Sequence, residues 1–323
     1  MRILIVKLSS FGDIMHVFTA VTDLAKSMDQ VDIDWLVDSS LKDIPKWHPA
    51  VNHVYAIPLR KVIKNRSITA CLSVLKQIRS QPYDIIIDAQ GLLKSMLCAV
   101  SLKGAKHGFA KPHLRESIAR WGYDFVHTVD QEHIVDQYRL LFAKSVGYPL
   151  PAQRSFGIEQ TNQESSKVIL FIGAGWGNKR WPMTHWALLI KKLKEAGKDV
   201  ECPYGSYHEK EQLMGLKQKY DLDIKISSYH LDELKGEISK SSLVVAGDTG
   251  ILHLAKALGV ITIGLFGATQ SKRSGYQGSI QSRLECSPCM KRTCQISKQL
   301  PVPCMESIAV EQVWLRIKDL GVV

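Results

Sequence analysis

The feature that most constrains this chain is an alternation of β-branched runs with helix-length amphipathic segments, broken once and then resumed. Residues 2–7 (RILIVK) are strand-like, and 14–28 carry helical periodicity after a Gly12-Asp13 turn. Residues 32–37 and 53–57 read as strands, 68–80 as a helix, 83–88 (YDIIID) as a buried strand and 91–101 as a helix. Strands alternating with helices of this length imply βαβ units and a parallel sheet. Residues 147–165 (GYPLPAQRSFGIEQTNQES) then interrupt the pattern with two prolines, two glycines and a polar majority, which marks a linker. Beyond it, strands are expected at 167–172, 200–203, 243–246 and 261–266. Helices are expected at 184–195, 209–219, 231–239 and 251–258, with an amphipathic final helix from 306 onward.

The pattern predicts an α/β chain of two Rossmann-like domains, 1–155 and 156–323, and leaves open a final helix that packs back on the N-terminal domain. The length of 323 residues agrees, at roughly 150 residues per domain. Doubly wound sheets bind ligands beyond the carboxyl ends of their strands, here across a cleft between two facing sheets. Candidate functional residues are therefore those just after strands.

Three loops answer that description. The first, Leu8-Ser9-Ser10-Phe11-Gly12-Asp13, is neither a Walker A loop nor a G-x-G-x-x-G fingerprint, which disfavours ATPase and dehydrogenase chemistry. Its Asp13 is either a helix N-cap or a carboxylate aimed at a ligand. The second, Gly173-Ala174-Gly175-Trp176-Gly177-Asn178-Lys179-Arg180-Trp181-Pro182, has three glycines for close backbone approach and two cations that could neutralise a diphosphate. The third, Ala246-Gly247-Asp248-Thr249-Gly250-Ile251-Leu252-His253, opens a helix whose N-terminal N–H groups favour phosphate. There Asp248 could accept from sugar hydroxyls, and His253 either serves the site or packs as a satisfied core histidine.

Charge and cysteine usage narrow the setting. The net charge is +11, and between Arg60 and Arg120 twelve Lys/Arg face three acids. That balance fits a solvated basic face or an anionic partner: nucleic acid, an anionic membrane surface or a phosphorylated substrate. No nucleic-acid motif accompanies the charge. No apolar run reaches the ~18 residues of a membrane span, and the apolar start is too short for a signal peptide, so the expected location is the cytoplasm. Of seven cysteines, Cys71, Cys98 and Cys202 are isolated, which suits a reducing compartment. Cys286, Cys289, Cys294 and Cys304 form C-x2-C-x4-C-x9-C, a pattern that fits either a structural zinc or iron site or thiols that are reduced or partly disulfide-linked.

The three loops, in this order and spacing, resemble the ADP-heptose lipopolysaccharide heptosyltransferases, glycosyltransferase family 9. VKLSSFGDIMH, DWLVD, IPKWHPAV, IDAQGLLKS, KHGF, LRES and LFAKSVGY are similar to the heptosyltransferase I type, and NKRWP, PYGSYHEKE and GDTGILHL to the family's donor site. The resemblance implies a GT-B fold and an inverting, metal-independent transfer of heptose from ADP-heptose to Kdo on lipid A. Alternatives are a heptosyltransferase II or related transferase using another nucleotide-sugar, and a non-catalytic nucleotide- or glycan-binding protein. It implies Asp13 as catalytic base and Lys179 as a catalytic cation. It further implies Gly175, Lys179, Arg180, Glu209, Asp248, Thr249, Gly250 and His253 as donor-binding residues, with Glu209 at the nucleotide's ribose. Ser10, Gly12, Arg60, Lys64 and Arg120 are implied at the acceptor. Its partners would be ADP-heptose, Kdo-lipid A and the inner face of the inner membrane, approached peripherally, with no nucleic acid. The chain departs from the pattern at Ala174-Gly175, where some heptosyltransferase I members have Thr-Thr beside the diphosphate. Backbone N–H groups would have to replace those hydroxyls.

Overall fold

The computed structural model describes residues 1–59, 69–159 and 165–323. They form two compact units, Met1–Ile158 and Glu159–Val323.

The N-terminal unit is a six-stranded parallel sheet. Its strands are β1 (Arg2–Val6), β2 (Asp32–Asp38), β3 (Val51–Ile57), β4 (Ile85–Asp88), β5 (Ala105–Phe109) and β6 (Phe125–His127), in the order β3-β2-β1-β4-β5-β6. β1 lies between β2 and β4, with Ile3 beside Ile33 and Ile85, and Ile5 beside Trp35 and Ile87. That centre is apolar on both faces because helices cover both, as a parallel sheet requires. One cover is α1 (Phe11–Ser27), buried along most of its length and packed on α4 (Ile134–Val146). Arg139 of α4 donates to the buried Asp23 of α1 at 2.6 Å, and its Nη2 reaches the Pro151 and Gln153 carbonyls at 2.6 and 3.0 Å. α2 (Thr69–Arg79) and α3 (Leu93–Val100) complete the labelled helices of this unit.

The C-terminal unit repeats the plan. Strands β7 (Lys167–Phe171), β8 (Asp199–Pro203), β9 (Lys225–Ser227), β10 (Leu243–Gly247), β11 (Ile261–Phe266) and β12 (Ile280–Gln281) are ordered β12-β11-β10-β7-β8-β9, all parallel. The main helices are α5 (Met183–Glu195), α6 (Tyr207–Tyr220), α7 (Leu231–Ser239), α8 (Gly250–Ala257) and α9 (Val310–Asp319). α9 packs on α5 and β11 of its own unit, and its Val310, Val313 and Ile317 join that core. No described helix is long and apolar enough to cross a membrane.

The structure adds elements that periodicity missed. β5 (AKHGF) and β6 (FVH) are short, carry Lys, His and Gly, and lack the apolar run of a central strand. Their places come from hydrogen bonding to β4 and to each other. α1 begins at Phe11 rather than 14, so Gly12 and Asp13 are helical residues and not a preceding turn. In each sheet the strand order reverses at one point, between β1 and β4 and between β7 and β10. The crevice beyond the carboxyl ends of such a strand pair is where doubly wound sheets hold ligands.

Candidate functional site

At the N-terminal switch point, the loop after β1 is tied to the loop after β4. The Leu8 and Ser9 N–H groups donate to Gln90 Oε1 at 3.2 and 3.0 Å. Ser10 is the N-cap of α1 and Asp13 its third residue. Asp13 therefore is not the cap itself, a correction to the first of its two sequence readings. Its carboxylate turns back so that Oδ2 accepts from the Ser10 N–H at 3.1 Å and the Ser10 hydroxyl at 2.9 Å. This reciprocal use of the helix's third residue leaves Oδ1 without a hydrogen bond among the described residues. Asp13 is half-buried. Burial pushes its carboxyl up, but Lys7, His16 and the Ser10 donors outweigh burial and hold it below the ordinary range. The group is an ionised carboxylate at neutral pH. Gly12 has no positive φ and sits buried in the first turn.

Beneath this loop lies a buried polar layer. Asp88 accepts from the Gln90 and Gly91 N–H groups at 2.8 and 3.1 Å and from Tyr123 Oη at 2.7 Å. Burial raises its carboxyl above the ordinary range despite those donors. Arg120, the described member of the expected basic acceptor set, is exposed on a 3₁₀ turn (Ser117–Gly122), with its guanidinium 4.9 Å from the Trp121 ring centre. Arg60 and Lys64 lie outside the described residues.

At the C-terminal switch point, the loops after β7 and β10 meet through charge. Lys179 Nζ donates to Asp248 Oδ2 at 2.7 Å and to the Asp248 carbonyl at 2.9 Å, and lies 4.5 Å from the Trp176 ring centre. Asp248 Oδ1 meets His253 Nε2 at 3.2 Å, and His253 Nδ1 meets Tyr276 Oη at 3.0 Å. A neutral imidazole with its proton on Nε2 satisfies both contacts, donating to Asp248 and accepting from Tyr276. Burial pushes the Asp248 carboxyl up, but His253 and Lys179 overcome it and hold the group far below the ordinary range. Thr249 is the N-cap of α8 and Gly250 its first residue, so unpaired helix N–H groups open beside this constellation. The buried Thr249 hydroxyl and Arg180 Nε have no hydrogen-bond partner among the described residues. Such orphaned groups beside a concentration of charge suit an absent polar ligand.

Close backbone approach holds the two loops together. A Cβ on Gly247 would stand 2.8 Å from the Lys179 carbonyl oxygen, so only glycine lets β10 end against this loop. The neighbouring loop joins through Glu209, in the first turn of α6, which accepts from the Gly205 N–H at 2.8 Å while Ser206 caps the helix. A Cβ on Gly173 would lie 2.1 Å from Glu209 Oε1. Gly175, by contrast, has open space around it, so packing does not demand a glycine there.

All seven cysteines are free. Cys286, Cys289, Cys294 and Cys304 line one cavity of about 80 Å³ with Asn178. Among the described residues no three or more His, Cys, Asp or Glu side chains are grouped as a metal site. Cys304 is buried, and burial together with the other three thiols pushes its thiol up to about 11. Asn178 Nδ2 donates to the Lys291 carbonyl at 2.6 Å, and Arg292 lies over Trp176. The cysteine segment thus braces the Lys179 loop.

Sequence reasoning placed Ser10, Asp13, Lys179, Glu209, Asp248 and His253 in loops or first turns at strand carboxyl ends. It missed Trp176 as the ring under Lys179, and Tyr276, which lies 23 residues beyond His253 in an irregular stretch with no local signal.

Comparison with known proteins adds independent findings. Residues 71–300 match the family model of glycosyltransferase family 9 (heptosyltransferase). The chain is 33% identical to lipopolysaccharide heptosyltransferase 1 of Pseudomonas aeruginosa, over 91% of this chain and 87% of that protein. Identity to lipopolysaccharide heptosyltransferase 1 of Escherichia coli K12 is also 33%, over 87% of this chain and 92% of that protein. The fold superposes on E. coli heptosyltransferase WaaC with ADP-2-deoxy-2-fluoro heptose with a TM-score of 0.83 at 28% identity, covering 99% and 100% of the two chains.

Proposed function

The chain belongs to glycosyltransferase family 9, the heptosyltransferases, and from that premise we propose that it moves heptose from ADP-heptose to Kdo of the lipopolysaccharide inner core, with inversion. The observation that carries the donor half is the Lys179–Asp248–His253 constellation at the N-terminus of α8. A departing diphosphate gains negative charge there, against a fixed ammonium and unpaired N–H groups that need no reorganisation. Thr249 and Arg180 supply further donors to the phosphates, Glu209 accepts from the ribose, and Asp248 and His253 meet the sugar.

Asp13 is the base. An acceptor hydroxyl is a poor nucleophile at neutral pH, and a carboxylate within hydrogen-bond reach takes its proton as the new bond forms, contributing ~10²–10⁴-fold. Oδ1 is the atom for this, since Ser10 occupies Oδ2. A single displacement inverts the anomeric centre and needs no enzyme nucleophile. Asp13→Asn should bind ADP normally and lose transfer by that factor. Near-normal product in mass spectra of Kdo-lipid A incubated with ADP-heptose would remove Asp13 from the role. Transfer from a UDP- or GDP-sugar instead would change the donor.

Approach to the acceptor at the cytoplasmic face of the inner membrane is supported by the surface around Arg120. α3 exposes Leu93, Leu97 and Val100 at helical spacing, and the adjacent 3₁₀ turn exposes Ile118 and Trp121. From Leu93 to Tyr123 the chain has six Lys/Arg and one acid, Glu116. Apolar side chains rimmed by cations fit an anionic bilayer surface. For the cysteine segment, we propose a structural zinc or iron on Cys286, Cys289, Cys294 and Cys304. The four thiols line one cavity, and the set suits either ion. Metal below about a tenth of an equivalent in protein purified without chelator argues against it.

A further inference from the structure

A polar pocket at the far end of the N-terminal sheet has no part in this chemistry. Arg2, Asp34 and His53 stand near the amino ends of β1, β2 and β3, whereas the Asp13 loop leaves the carboxyl end of β1. Side chains alternate along a strand, so Arg2 shares a face with Leu4, Asp34 with Leu36 and His53 with Tyr55. On that face Leu4, Leu36 and Tyr55 form an apolar core with Cys71 and Ile78 of α2. At the amino end the core gives way to a pocket of about 430 Å³, also lined by Gln77 of α2 and by Gln81 just past it. That size falls within the ~300–1,000 Å³ of small-molecule sites.

The most buried residue of the lining is Asp34, at 1% exposure. It accepts from Arg2 Nη2 at 2.9 Å, Arg2 Nε at 3.3 Å and Tyr83 Oη at 2.5 Å, while Arg2 Nη1 donates to Gln81 Oε1 at 2.7 Å. Apolar side chains of equal volume would hold the sheet as well as such a pair, so packing does not ask for it. A bulge in β3 opposite Ile33–Asp34 leaves Asn52 out of register, and its Oδ1 accepts from the Ile33 N–H at 2.8 Å. Bulges re-aim side chains and gather beside functional sites. Hydrogen-bonding capacity is left over here. Arg2 keeps two N–H groups and Asn52 its Nδ2, while Asp32, His53 and Gln77 make no side-chain hydrogen bond among the described residues. The Arg2 and Asp34 charges cancel, which leaves the Asp32 carboxylate and disfavours phosphates. A sugar hydroxyl both donates and accepts, as this mixed lining requires, and the apolar face of a sugar ring suits the His53–Tyr55 aromatic pair, whose centres are 4.4 Å apart. We propose that this pocket is a second binding site, for a neutral saccharide, separate from the transfer site.

The experiment titrates the full chain with methyl α-D-mannopyranoside and with maltose, read at the His53 imidazole resonances. At least one of the two should shift them saturably, with a Kd on the order of 1 mM, as expected for a ligand this small. Saturating ADP should leave that Kd unchanged, because the pocket and the Asp13 loop sit at opposite ends of the sheet. Asp32→Ala, at an exposed position, should weaken binding ~10-fold, the low end for a hydrogen bond to a charged group. No saturable shift by either sugar up to about 20 times that Kd overturns the proposal. So does equal affinity in Asp32→Ala, which would place the sugar outside the pocket, or competition by ADP, which would place it in the transfer site. Inorganic phosphate and spermidine form the charged arms: a saturable His53 shift by either, at lower concentration than both sugars, overturns the saccharide assignment.

Discussion

Replacing Asp248 by alanine tests the C-terminal constellation. The side chain is 10% exposed, and Lys179, which donates to it at 2.7 Å, is 13% exposed. Removing one member of a buried ion pair costs roughly 3–5 kcal/mol, because the partner charge is left uncompensated. Two contacts of Lys179 survive the change, the Asp248 backbone carbonyl and the Trp176 ring, and the residual exposure lets water reach the ammonium. The low end, about 3 kcal/mol, is therefore expected. For a unit of this size that lowers Tm by roughly 6–12 °C. The assay is thermal unfolding with and without ADP. In the variant, a diphosphate is the remaining counter-charge for Lys179, so saturating ADP should recover more of the lost Tm than it adds to the unaltered protein. A loss below about 1 kcal/mol would mean that the pair is solvated and worth no more than a surface bridge. An ADP-induced rise no larger than in the unaltered protein would mean that Lys179 does not meet the phosphates.

Three further outcomes follow from other contacts. Gly247→Ala places a methyl 2.8 Å from the Lys179 carbonyl oxygen, a backbone atom that cannot swing away, so it should cost about 1–3 kcal/mol and weaken ADP binding, measured by denaturant unfolding and calorimetry. Glu201 is buried; burial pushes its carboxyl up, but Lys167, Ser227 and Tyr229 overcome that and hold it at about 2. A depressed folded value contributes stability above the unfolded value near ~4.3 and loses it as pH falls toward the folded one. The advantage of the unaltered protein over Glu201→Gln should therefore shrink between those two values in acid-unfolding curves; a constant difference across that window would show that the ion cluster is not the cause. Ile118→Ser with Leu97→Gln should leave transfer to a deacylated acceptor unchanged and reduce flotation with vesicles of anionic phospholipid several-fold. Equal flotation would place the membrane contact elsewhere.

The sequence by itself determined the layout. β-branched runs such as RILIV and YDIIID, spaced by amphipathic helices, allow little besides covered parallel sheets, and the Pro- and Gly-rich stretch at 147–165 divides them. Loops holding a carboxylate or a cation after such strands mark where chemistry can sit, because strand carboxyl ends are where these folds present residues to ligands. Polarity and shortness hid β5 and β6, whose positions depend on a neighbour to hydrogen-bond.

Only tertiary structure decided which loops meet. The strand orders place β1 beside β4 and β7 beside β10, which brings Gln90 to the Ser9 N–H and Asp248 to Lys179 across gaps of 81 and 69 residues. It also decided what surrounds Asp13. Local pattern presents this residue as a helix-start aspartate of ordinary acidity. Burial, the Ser10 donors and the Lys7 charge beneath it depend on chain segments folded over one another, and those set the proton affinity of its carboxylate.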